Sequence, residues 1–97
     1  MKKTFPLHAT GKEDARVRDK IRHEINKYVR RERRKTVPEG FDLWNLHCKI
    51  GVSAENADAL PFKDVGGAID KVAAGGAASV YVEIVAVAGH RTFKRAL

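Results

Sequence analysis

The sequence predicts an α+β fold: a small antiparallel or mixed sheet of three to four strands carrying two helices. Three observations lead there. Apolar residues recur at Val17, Ile21, Ile25, Tyr28 and Val29, the spacing of one helix face. Residues 41–50 and 79–88 instead alternate with a period of two, as strands do. Pro38-Glu39-Gly40 and Gly75-Gly76 supply the breaks between helical and extended stretches.

Residues 2–8 alternate weakly, with Lys3, Phe5 and Leu7 on one side, and predict a first strand. Pro6 places it near a sheet edge, because proline donates no backbone hydrogen bond. Thr10-Gly11-Lys12-Glu13 fits a capping box, with Thr10 as N-cap and Glu13 reaching back. A helix is expected from about residue 12 to about residue 35. Its length, on the order of 35 Å, exceeds the expected core diameter, so its last turn is expected to project. In 41–50, Trp44, Leu46, Cys48 and Ile50 share a face and are assigned to the core. Residues 51–58 read as a polar loop, and 59–62 as a weak short strand in which Pro61 argues against a central place.

A second helix is expected over about 63–74, with Val65, Ala68, Ile69 and Val72 inward. Gly66 and Gly67 lower its propensity by up to about 1 kcal/mol each, while allowing close approach to a sheet. Residues 79–88 form the strongest strand. Both of its faces are apolar, which predicts a central strand or one covered twice. The order is β-α-β-(β)-α-β. With the weak strand counted, it is the split β-α-β pattern of ferredoxin-like folds.

With 97 residues, 43% of them hydrophobic and 32% charged, the chain fits one folded domain, 1–97, with a basic tail over about 90–97. A domain of this size buries roughly two-thirds of its unfolded surface, a modest core without room for a large internal cofactor. Cys48, the single cysteine, has no internal disulfide partner, which suits a reducing compartment. The positive start Met1-Lys2-Lys3 has no apolar stretch behind it, and Val80–Ala88 is short and interrupted by Glu83. The chain therefore reads as cytoplasmic, without membrane insertion.

A net charge of +7 and a pI near 9.9 favour polyanionic partners. The charge is concentrated. Residues 12–35 hold eleven Lys and Arg against five Asp and Glu, leaving eight and seven for the rest of the chain. At 100° per residue, Arg16, Lys20, His23, Lys27, Arg30 and Arg34 fall in one stripe opposite the apolar face, over about 27 Å of helix axis. Like charges three or four apart cost roughly 0.2–0.5 kcal/mol per pair, so a helix shaped for stability alone would intersperse acids there. The helix dipole accounts for cations in the last turn, but not for Arg16, Lys20 and Lys27. Arg91, Lys94 and Arg95 extend the candidate set into the tail.

Aromatic stacking platforms, a KH-type GXXG loop and helix-turn-helix spacing are all absent from the sequence. Nucleic-acid contact would then be mostly to the backbone. His47 and Cys48 are strand neighbours pointing to opposite faces, and no C-x-x-C or H-x-x-x-H pair exists, so no metal or other cofactor is expected. Glu83, the one charge in the apolar strand, is expected to meet a basic side chain or solvent. With His90 and Arg91 it forms the only candidate for a small enzyme site.

Met1-Lys2-Lys3-Thr4-Phe5, His23-Glu24 through Arg31-Glu32-Arg33-Arg34-Lys35 to Pro38-Glu39-Gly40 and Trp44, and Tyr81-Val82-Glu83-Ile84 with Gly89-His90-Arg91-Thr92 together resemble a family of small bacterial proteins known as a domain of unknown function. The resemblance runs along nearly the whole chain. It implies a bacterial, cytoplasmic, single-domain protein and supplies no activity, cofactor or site residue. The reading that the charge favours is a non-enzymatic module binding an anionic partner, nucleic acid first, through the helix stripe. The alternative is a protein-interaction or homodimerising domain in which the charge is only a solvated face. A small enzyme ranks third.

Overall fold

A computed structural model describes residues 1–90. The order is β1 (Lys2–Pro6), α1 (Asp14–Arg33), β2 (Leu43–Gly51), β3 (Ala57–Leu60), α2 (Val65–Ala74) and β4 (Ser79–Gly89), with single 3-10 turns at Ala54–Asn56 and Phe62–Asp64. The four strands make one fully antiparallel sheet in the order β1-β4-β2-β3. Each β-α-β unit is split: β4 lies between β1 and β2, and β2 lies between β3 and β4. The weak strand exists, shifted two residues towards the N-terminus, and Pro61 ends it at the sheet edge as expected.

Both helices cover the same face of the sheet. Val17, Ile21, Ile25 and Val29 of α1 and Val65 and Ile69 of α2 are buried against Phe5, Cys48, Ile50, Val80, Val82 and Ile84 of the strands, with Leu7 just beyond β1. The Cys48 thiol is held above its ordinary pKa by burial and acts as a small apolar side chain. β4 is central, but helices cover it on one face only. Its second apolar face, Tyr81, Val85 and Val87, lies on the open side, and Val87 is 44% exposed. An apolar run on both faces reflects a central position here, not double coverage.

The phase of the β1–β4 ladder explains Pro6. Met1 and Ile84 exchange N–H···O bonds of 2.7 and 2.8 Å, and Leu7 donates to the Ala78 carbonyl at 2.9 Å. Antiparallel bonding alternates along the strand, so residues 3 and 5 also turn their backbone groups towards β4. Lys2, Thr4 and Pro6 turn theirs outward, and the missing N–H of Pro6 costs no ladder bond.

The capping box does not form. Glu13 is the N-cap of α1, extended at φ −68° and ψ 143°, and makes no side-chain cap bond. Thr10 and Gly11 instead make a tight turn that bridges Ala9 to Lys12, with Gly11 at φ +76°. Positive φ is easy only for glycine, and it takes the chain out of the geometry a Thr10 cap needs. The other end of α1 is fastened from the sheet: the Trp44 indole N–H donates to the Lys35 carbonyl at 2.9 Å. At Gly51 a Cβ would lie 2.6 Å from the Ala57 Cα, so only glycine lets β2 pass the start of β3 this closely.

Candidate polyanion interface

α1 has 20 residues and runs about 30 Å along the sheet. Because Val17, Ile21, Ile25 and Val29 anchor one side to the core, the direction of every other side chain follows from the 100° step. The resulting cations fall into two populations.

The first is engaged. On the side of α1 facing α2, the Arg22 guanidinium lies 2.5 Å from Asp70 and 3.3 Å from Asp19, and Arg18 lies 3.3 Å from Asp70. Arg22 also donates to the Gly66 carbonyl at 3.4 Å, joining the two helices. Arg31 lies over the Tyr28 ring at 5.7 Å and Arg33 over the Phe62 ring at 5.6 Å. Lys35 reaches Glu32 at 2.8 Å, and this hydrogen bond holds the Glu32 carboxyl below its ordinary pKa.

The second population is Arg16, Lys20, Lys27, Arg30 and Arg34, with the His23 imidazole in the same row. All six are exposed. Among the described residues none of their side chains has a hydrogen-bond, ion-pair or ring partner. These are the residues of the sequence stripe, carried along the solvent side of α1, with Arg16 and Lys20 bordering β1 and Arg30 and Arg34 bordering Phe62. A stripe of unpaired cations raises the local positive potential with no internal neutralisation.

Arg91, Lys94 and Arg95 lie outside the described residues. The point from which they depart is defined: Trp44 pairs with Ala88 in the sheet and binds the carbonyl after α1. His90 therefore follows β4 at the end of the molecule where Arg30 and Arg34 stand. It lies 3.7 Å from Asp42 and stacks on Phe41, with ring centroids 5.2 Å apart.

Glu83 and His90 are not brought together. Seven residues of extended chain separate them, roughly 23 Å. Glu83, expected to meet a basic side chain or solvent, is partly exposed and accepts a 2.8 Å hydrogen bond from the Tyr81 hydroxyl, a neighbour on the same strand face. Lys2 and Lys49 are its partners in the adjacent strand registers. The bond to Glu83, with burial and the carboxylate charge adding to it, raises the Tyr81 pKa. The folded state therefore favours the neutral phenol, and this stabilisation is complete below the ordinary tyrosine pKa and lost as pH rises through the higher folded value. In a spectrophotometric titration, one of the two tyrosines should ionise late, and Tyr81→Phe should remove that late phase. A late phase that survives the substitution would contradict the assignment.

Among the described residues no group of three or more His, Cys, Asp or Glu is placed to hold a metal ion. No helix there is long and apolar enough to cross a membrane.

Fold and surface together define a small basic α+β protein with a two-layer, helix-on-sheet architecture and an unneutralised cationic helix face. The chain belongs to a family of unknown function, DUF6172, whose model matches residues 1–96. No curated protein and no solved structure matches it.

Proposed function

We propose that this protein is a non-enzymatic binding module that contacts a polyanion, nucleic acid foremost, through the solvent side of α1. The observation that carries this reading is the sorting of the α1 cations. Arg18, Arg22, Arg31 and Arg33 are spent on partners within the fold, while five others stand unpaired in a row with His23. A backbone-tracking surface needs such a row, because each phosphate neutralised releases condensed counterions. The contacts would position the partner and read little base sequence. Arg91, Lys94 and Arg95 are proposed to add to the surface at the Arg30–Arg34 end. A bacterial, cytoplasmic setting belongs to the same proposal.

The test is amide-shift mapping with a short DNA or RNA duplex at low salt. The largest changes should follow Arg16, Lys20, His23, Lys27, Arg30 and Arg34. Shifts centred on the open sheet face, or none at low salt, would refute the reading.

A second reading, self-association, is favoured by the sheet face that no helix covers. On it Val85 is half-buried and Val87 is 44% exposed, where β4 runs past β1 and pairs with β2 alone. In that reading the α1 charge is a solvated face. Sedimentation should then show a dimer that Val87→Lys converts to monomer, and a monomer at high concentration would exclude it.

A further inference from the structure

We propose that the groove between β1 and α1 receives an extended peptide segment of acidic and apolar residues, which adds as a strand to the free edge of β1. This goes beyond the polyanion reading: it concerns a different partner, at a groove that shares only Arg16 and Lys20 with the stripe.

The groove encloses about 540 Å³ and opens at the sheet edge. Its floor is formed by Phe5, Val17 and Ile21, with Ala9 exposed at the mouth. Two acids line it, and both are already neutralised. Glu24 lies 3.4 Å from Lys3, and Asp19 lies 3.3 Å from Arg22. Four cations also line it, and beyond Lys3 the other three, Lys12, Arg16 and Lys20, have no side-chain partner among the described residues. The result is an apolar slot under an uncompensated positive rim, a surface complementary to an apolar side chain flanked by carboxylates.

The backbone beside the slot selects a peptide over other anionic amphiphiles. Lys2 and Thr4 turn their N–H and C=O groups away from β4, and neither has a backbone partner outside the β1–β4 ladder among the described residues. A segment paired to them would send alternate side chains into the groove, as in strand addition to a sheet edge beside a helix. Pro6 ends this edge by lacking a donor, and the lysines discourage indiscriminate pairing. The ladder is therefore short, and the groove and its charge supply the selectivity.

The probe is a terminally blocked peptide of about seven residues alternating glutamate and leucine, long enough to span β1 at about 3.3 Å per residue. An arginine–leucine peptide, decanoate and a DNA duplex serve as comparisons. The acidic peptide should bind and shift the Lys2 and Thr4 amides. Thr4→Pro removes an outward N–H without deleting a β1–β4 ladder donor and should weaken peptide binding about tenfold, while Thr4→Ala should not. Ala9→Trp, which fills the mouth, should abolish binding. Neither variant alters a stripe cation, so duplex binding should be unchanged in both, and failure of one reading is separable from failure of the other. The proposal is overturned if the acidic peptide does not bind, or if the arginine–leucine peptide binds equally. It is also overturned if binding survives Thr4→Pro and Ala9→Trp, or if decanoate occupies the groove and the peptide does not.

Discussion

Replacing Arg16, Lys20, Lys27, Arg30 and Arg34 together by glutamine is expected to abolish polyanion binding while leaving the fold intact. Each cation that meets a phosphate contributes about 0.9 to the slope of log affinity against log salt. Five lost contacts should therefore reduce affinity at moderate salt by at least about a hundredfold and flatten the salt dependence. Stability should change by no more than about 1 kcal/mol. Glutamine keeps helix propensity, and removing the repulsion in Arg16–Lys20, Lys27–Arg30 and Arg30–Arg34 returns roughly 0.2–0.5 kcal/mol per pair. Loss of favourable dipole interactions at the C-terminal end, about 0.3–1 kcal/mol per cation, offsets that gain. The control is a variant with Arg31 and Arg33 replaced. Those two sit over Tyr28 and Phe62, and their loss should affect binding less. Thermal unfolding and binding, measured side by side, check both halves.

The second large effect is on the core. Ile69 of α2 is fully buried, at 0% exposure, in the cluster that joins both helices to β2 and β4. Ile69→Ala should cost about 2–5 kcal/mol, the transfer of the lost methyl and methylene groups plus the cavity left behind. In a domain whose total stability is on the order of 5–15 kcal/mol, that is a large fraction. Denaturant unfolding should show a lowered midpoint with little change in slope. A loss below about 1 kcal/mol would mean that α2 is not packed as described.

Periodicity carried most of the fold. The apolar faces of α1 and α2, the edge position of β1 and the central position of β4 all follow from residue patterns and from Pro6. Three features were not legible in the sequence, the first because it turns on one backbone angle and the other two because they depend on long-range placement. Thr10-Gly11-Lys12-Glu13 has the composition of a capping box, but the left-handed φ of Gly11 turns it into a bridge between Ala9 and Lys12. The pairing of Arg18 and Arg22 depends on Asp70, an acid on another helix, so the sequence showed which cations share a face but not which are neutralised. The groove beside β1 depends on strand order, since only an edge strand leaves space next to α1. The Tyr81–Glu83 bond, in contrast, could have been read: residues two apart on a strand share a face.

The central claim is that the unpaired stripe of α1 meets a polyanion, and the most direct measurement is duplex affinity as a function of salt. With about five phosphates neutralised, affinity should fall several hundredfold between roughly 50 and 200 mM salt, and the glutamine variant should lose most of that dependence. Affinity independent of salt, or an equal slope in the parent protein and the variant, would contradict it.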